Sequence, residues 1–140
     1  MRHPASLTKM MTLYLLFQDI SAGKLTLNSP ITVSARCVGM APSKLGVKAG
    51  QSITAETATR ALIVKSANDI ACAVAENLGG TESAFAQRMT RTARALGMSR
   101  TTFLNASGLP NPNQVTSARD MATLGLRLMR DYPQYYPYFR

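Results

Sequence analysis

Acidic side chains are scarce in this chain. Only 7 Asp and Glu stand against 16 Lys and Arg, for a formal net charge of +9 at pH 7. Such a balance points to an anionic partner, whether nucleic acid, membrane surface or cell-wall polymer, without choosing among them. Histidine is almost missing, with His3 alone, and the two cysteines, Cys37 and Cys72, form no CxxC pair. No zinc set can be assembled from so few ligands, and no cofactor is expected. No apolar run is long enough to cross a bilayer, because Lys, Arg, Asp and Gly interrupt the hydrophobic residues. The opening "MRHPAS" has no apolar segment of the signal-peptide kind, so no export signal is expected in this chain. Arg88, Arg91 and Arg94 follow at intervals of three, one basic stripe on a helix. Neither interleaved aromatics nor a nucleic-acid motif accompanies them, so the stripe reads as a solvated face and no nucleic acid is expected.

What is present suits one domain: 140 residues are enough to bury a real core. Pro4 and the run "ASLTKMMTLYLLFQDISAG" predict a helix stopped at Gly23. Apolar residues crowd most of its faces, which predicts burial on several sides. "KLTLNSPITVSA" predicts two short extended pieces, Leu25/Leu27 and Ile31/Val33, around a turn at Asn28-Ser29-Pro30. "RCVGMAPSKLGVKAGQS" reads as a surface connection. Helices are predicted from a Thr54 cap, through "NDIACAVAENLGG", and from a Thr81 cap with Phe85, Met89, Ala93 and Leu96 inward. An extended piece at Thr101 to Leu104 precedes a last helix. That helix is capped by Thr116 or Ser117, turns Met121, Leu124 and Leu128 inward, and ends at Pro133. Cys72 lies in the apolar helical "DIACAVAE" and reads as a buried free thiol, with a disulfide to Cys37 the alternative. The aromatic tail "YPQYYPYFR" reads as an exposed edge or a contact surface.

Two short stretches could carry chemistry. In "PASLTKMMT", Ser6 and Lys9 stand three apart at the mouth of the first helix, on one face. A serine hydroxyl needs a base to become a nucleophile, and a lysine can be that base when burial lowers its pKa. The spacing alone is weak, since "SAGK" at Ser21 to Lys24 shares it. In "KSAND", Ser66 and Asn68 form the only Ser-x-Asn in the chain, where one helical run yields to another. A hydroxyl and a carboxamide two apart could relay a proton and hold a substrate amide. The plainer alternative makes Ser66 or Asn68 a helix N-cap, with Asp69 in the first turn.

Taken in order, "PASLTKMMT", "KSANDIACAVAE", "NASGLP" and "TSARDMATLG" resemble successive blocks of the serine D-alanyl-D-alanine carboxypeptidases, the low-molecular-mass penicillin-binding proteins. The resemblance runs over nearly the whole chain. It implies a mostly helical α+β fold, the helical lobe of the β-lactamase/transpeptidase-like fold with most of the central antiparallel sheet missing. Residues 1–140 would then be a single partial catalytic domain. It further implies Ser6 as nucleophile, Lys9 as its base, Ser66 as proton relay to the leaving amine and Asn68 as binder of the substrate amide. The substrate would be a peptidoglycan stem peptide, with β-lactams as inhibitors acting on the same serine. The family works outside the cytoplasmic membrane.

One departure stands out. The family's third motif, Lys-Thr-Gly on a strand, has no counterpart after Asn68. The nearest triplet, Lys48 to Gly50, comes too early, lacks the hydroxyl and reads as a turn. Little or no turnover is therefore expected of the isolated chain, and apolar surface open to association is expected where the sheet would pack. Two alternatives remain at this point: a non-catalytic binder of peptidoglycan or another anionic polymer, and a β-lactamase-type hydrolase. The latter needs a dedicated deacylation base, and Asp69 is the only acid adjoining the motifs.

Overall fold

The computed structural model describes residues 5–38, 40, 45–106 and 113–139, with side chains from Leu7 onward. His3, Pro4, the Ser6 hydroxyl, most of "GMAPSK", the "SGLP" of the third block and Arg140 lie outside the described residues. Five α-helices, α1 (Ala5–Ser21), α2 (Ala55–Val64), α3 (Asn68–Gly79), α4 (Glu82–Ala95) and α5 (Ala118–Asp131), dominate them. Strands β1 (Pro30–Thr32) and β2 (Ser52–Thr54) pair antiparallel, with Ile31 opposite Ile53. A 3₁₀ helix spans Pro133–Phe139. This is the mostly helical α+β architecture that the sequence implies.

Helix α1 lies at the centre, packed against all four other α-helices. The density of apolar residues around its circumference is the cause. Leu7, Met11, Leu15, Leu16 and Phe17 are fully buried, and Leu13 and Tyr14 nearly so. Burying a side chain of this size stabilises the fold by about 1.5–3 kcal/mol each, so no polar face is left for water. Its end is a Schellman motif: Lys24 N–H donates to Asp19 O at 2.9 Å and Gly23 N–H to Ile20 O at 3.1 Å. That geometry needs Gly23 in the left-handed region, at φ 79°.

The remaining helices start where their capping residues stand. The Thr54 hydroxyl accepts from Thr57 N–H, that of Thr81 from Ala84 N–H and that of Ser117 from Asp120 N–H, so Ser117 rather than Thr116 caps α5. Phe85, Met89, Ala93 and Leu124 are fully buried as expected.

Several expectations are corrected. Of the two extended pieces, only Ile31 belongs to a strand. Leu25 to Ser29 is a turn, with Ser29 N–H on Thr26 O at 3.0 Å, and the partner of β1 is Ser52–Thr54, unseen in the sequence because Thr54 doubles as helix cap. The Thr101 to Leu104 piece is reduced to one bridge, Thr102 opposite Val115. Cys72 is no free thiol: it is joined to Cys37, and both are fully buried. The tail is no free edge either, because Tyr135 stacks on Phe17 with ring centroids 4.2 Å apart and Tyr132 meets Tyr14 edge-on at 5.0 Å. Tyr136 and Phe139 remain partly exposed.

The basic stripe is only partly solvated. Arg88 forks onto Asp19 at 2.7 and 3.0 Å and also reaches Gln18 of α1, while Arg94 donates to the carbonyls of Met98 and Thr101. Of the three, Arg91 is the exposed one without such a tie among the described residues. The scarce acids are all engaged inside the molecule. Asp19 holds Arg88, Glu56 Tyr138, Asp69 backbone N–H groups, Glu76 and Glu82 Arg36, Asp120 Thr101, and Asp131 Tyr14 and Arg127.

Candidate active site

Ser6 belongs to the first turn of α1, and Lys9 follows three residues later on the same helix. Lys9 is only 8% exposed. Burial among apolar neighbours lowers the pKa of its amine, because desolvation disfavours the ammonium. The cleft that Lys9 lines has a volume of about 290 Å³ and is walled by Met10, Leu13, Leu62, Ile63, Ser66 and Phe139. Far apart in sequence, Lys9 and Ser66 thus face one space.

The backbone brings Ser66 there by a sharp stop. Helix α2 ends at Val64, Lys65 N–H still reaches Ala61 O at 3.1 Å, and Ser66 then enters the left-handed region at φ 52°. It is the only described residue other than glycine with a positive φ. Such a conformation costs roughly 1–3 kcal/mol for a residue with a Cβ and recurs at functional sites. Helix α3 begins two residues on. Its N-cap is Ala67, which gives no side-chain cap, so neither Ser66 nor Asn68 plays the capping role. Asn68 is the first helical residue and is buried, and it is not among the side chains that line the cleft.

Asp69 is fully buried, and its carboxylate accepts from the backbone N–H groups of Leu45, Gly46 and Ile70. It is not among the cleft residues, so it offers no deacylation base there. Lys48 to Gly50 is a turn, with Gln51 N–H on Lys48 O at 3.0 Å and Gly50 at φ 82°. The start of the third block is anchored at both sides: Thr12 donates to Ala106 O at 3.2 Å, and Ala106 N–H donates to Glu82 at 3.0 Å. The sequence reading missed Leu62, Ile63 and Phe139 as cleft walls. Only the apolar positions of "RALIVKS" hinted at the first two, and nothing local pointed to Phe139.

Cys37, Cys72 and Glu76 are the one His/Cys/Asp/Glu group among the described residues close enough to share an ion. With both sulfurs in a disulfide and Glu76 held by Ser34 and Arg36, the group is spent on structure.

Several solved structures share this helical fold. The crystal structure of the D-alanyl-D-alanine carboxypeptidase DacD from Francisella tularensis matches with a TM-score of 0.95 and 40% identity, covering 99% of this chain and 33% of that one. Penicillin-binding protein D2 from Listeria monocytogenes, solved in its ampicillin-bound form, matches with a TM-score of 0.80 and 28% identity over 93% of this chain and 53% of that one. Among curated proteins, the D-alanyl-D-alanine carboxypeptidase DacC of Escherichia coli is 36% identical over 139 residues, or 95% of this chain and 35% of that protein. DacA of Haemophilus influenzae is 34% identical over 138 residues, with 96% and 35% covered. A family model described as D-alanyl-D-alanine carboxypeptidase matches residues 1–140, and the chain belongs to that family. The chain spans about a third of the length of these curated relatives. The expected fold class, the helical lobe of the penicillin-binding-protein fold, is borne out.

Proposed function

We propose that residues 1–140 form part of the catalytic domain of a serine D-Ala-D-Ala carboxypeptidase that trims peptidoglycan stem peptides outside the cytoplasmic membrane. The observation that supports this most is the shared cleft of Lys9, buried with a lowered pKa, and the left-handed Ser66. In this reading the neutral Lys9 amine takes the Ser6 proton as the Ser6 oxygen attacks the carbonyl between the two D-alanines. The backbone N–H of Ser6, in the first turn of α1, would steady the developing oxyanion, where one lost donor costs roughly 3–4 kcal/mol. Ser66 passes a proton to the departing D-alanine amine, and Asn68 holds the substrate's amide. Water then attacks the acyl ester and frees Ser6 and the shortened peptide. A β-lactam, the ligand class seen in the Listeria relative, would acylate the same oxygen.

Intact-mass spectrometry after incubation with benzylpenicillin tests the proposal. One drug mass is expected on the wild-type chain and none on Ser6→Ala. A folded chain without an adduct would refute the acylation reading and favour the polymer-binding one. That second reading draws on the outward charge, since every carboxylate is engaged internally. It requires Ser6→Ala to retain full affinity for cell-wall polymer.

A further inference from the structure

Asp69 has no part in the chemistry above, yet none of its surface is exposed. Leu45 N–H bridges its two oxygens at 2.9 and 3.0 Å, Gly46 N–H reaches Oδ2 at 3.1 Å and Ile70 N–H reaches Oδ1 at 2.9 Å. Ile70 N–H is one of the orphan donors of the first turn of α3, where the cap Ala67 offers no acceptor. A carboxylate also suits the positive end of a helix. Leu45 and Gly46 belong to the segment that follows β1. One turn along α3, the Cys37–Cys72 disulfide fastens the same segment a second time. Both fastenings lie just after Ser66, whose left-handed backbone persists only where its surroundings over-determine it.

We propose that Asp69 is a positioning residue for Ser66 and Asn68. By tying Leu45 and Gly46 to the start of α3, it fixes the origin of that helix and holds the left-handed turn that puts Ser66 on the cleft. The inference rests on the reading of Ser66 and Asn68 as site residues. It differs from a plain stability role, because loosening the tie moves one turn of backbone rather than the whole core.

The test pairs a backbone readout with a chemical one on the full chain, using Asp69→Ala and Asp69→Asn. Asp120→Asn is the control: a second buried carboxylate that takes a backbone N–H, from Arg100 at 2.9 Å, at the start of α5. In Asp69→Ala the amides of Leu45, Gly46 and Ile70 should lose hydrogen-exchange protection. The Ser66 HN–Hα coupling should leave its left-handed value, and the rate of benzylpenicillin acylation should fall about 100-fold, as misplaced reacting groups do. Asp69→Asn, which keeps one acceptor oxygen, should lie between. The control should melt earlier yet acylate at the wild-type rate. An unchanged Ser66 coupling, or an unchanged acylation rate in a variant whose coupling has moved, overturns the proposal. If the wild type itself takes no penicillin, the reading of Ser6 fails and the coupling alone decides the positioning role. Should Asp69→Ala not fold, Asp69→Asn is read by the same two criteria.

Discussion

A single added methyl should move stability in opposite directions at two glycines. Gly79 closes α3, and a Cβ there would stand 2.7 Å from Phe85 Cβ, 2.9 Å from Phe85 N and 3.0 Å from Phe85 Cα. Phe85 is fully buried in the first turns of α4, and two of these three atoms are backbone, so neither can swing aside. Overpacking of this kind costs about 1–3 kcal/mol, against a helix-propensity gain of at most about 1 kcal/mol for Gly→Ala. A net loss of about 1–2 kcal/mol follows. Gly125, inside α5, would place its Cβ 3.7 Å from the Met10 terminal methyl, an ordinary contact. There the propensity gain of about 0.5–1 kcal/mol stands unopposed. An unfolding entropy near 2.1 cal/mol/K per residue makes 1 kcal/mol worth about 3 °C in a chain of this length. Gly79→Ala should therefore lower Tm by about 3–6 °C and Gly125→Ala should raise it by about 2–3 °C. Thermal melts followed by circular dichroism, with urea titrations at constant m-value, read both. A Gly79→Ala protein as stable as wild type would refute the claim that α3 and α4 touch through backbone at this point.

Reduction of Cys37–Cys72, which closes a loop with a sequence separation of 35, should cost about 4 kcal/mol on chain-entropy grounds, read as a fall in Tm on adding a phosphine. Lys9 binds its proton more weakly folded than unfolded, so stability should rise with pH between the lowered pKa and the ordinary 10.5. Lys9→Met should remove that slope and melt higher than wild type at pH 7, whereas its acylation by penicillin should vanish. Wild-type acylation should climb with pH and level off below 10.5, and a profile still rising above that value would count against Lys9 as the base. Arg88→Leu strands Asp19, 4% exposed, without its ion-pair partner and should cost about 3 kcal/mol in urea unfolding. Replacing both partners by apolar residues should recover most of the loss.

The helices were legible because each carries its own signals: a hydroxyl cap at Thr54, Thr81 or Ser117, a glycine at the end of α1, and a spaced apolar face. Of the strands, only β1 was, through Ile31. Three-residue strands lie below the length at which alternation can be told from chance, and Thr54 was already claimed by the cap it makes for α2. The disulfide escaped because Cys72 sits in an apolar helical run, a setting that suits a free thiol as well as a paired one. At the site, Ser6, Lys9, Ser66 and Asn68 were singled out by spacing and given roles by the family resemblance, and the structure brings Lys9 and Ser66 onto one cleft. What spacing could not show is that Ser66 is left-handed or that Phe139 walls the space, since both depend on where the tail and α2 pack. Asp69 reads in the sequence as a first-turn acid or a spare base. Two of its three backbone donors, Leu45 and Gly46, come from folding the segment after β1 against α3, which no local pattern announces.

The engagement of all seven carboxylates inside the molecule has a consequence for how this sequence can drift. An Asp or Glu changed anywhere in the chain unties a connection between parts that folding brought together, such as α1 with α4 or α2 with the tail. Exposed bases such as Lys24, Lys48, Arg91 and Arg119 carry no comparable burden and can be exchanged or lost at little cost. Descendants of this chain should therefore differ in net charge almost entirely through the residues they gain or shed on the basic side, while their acids stay where they are.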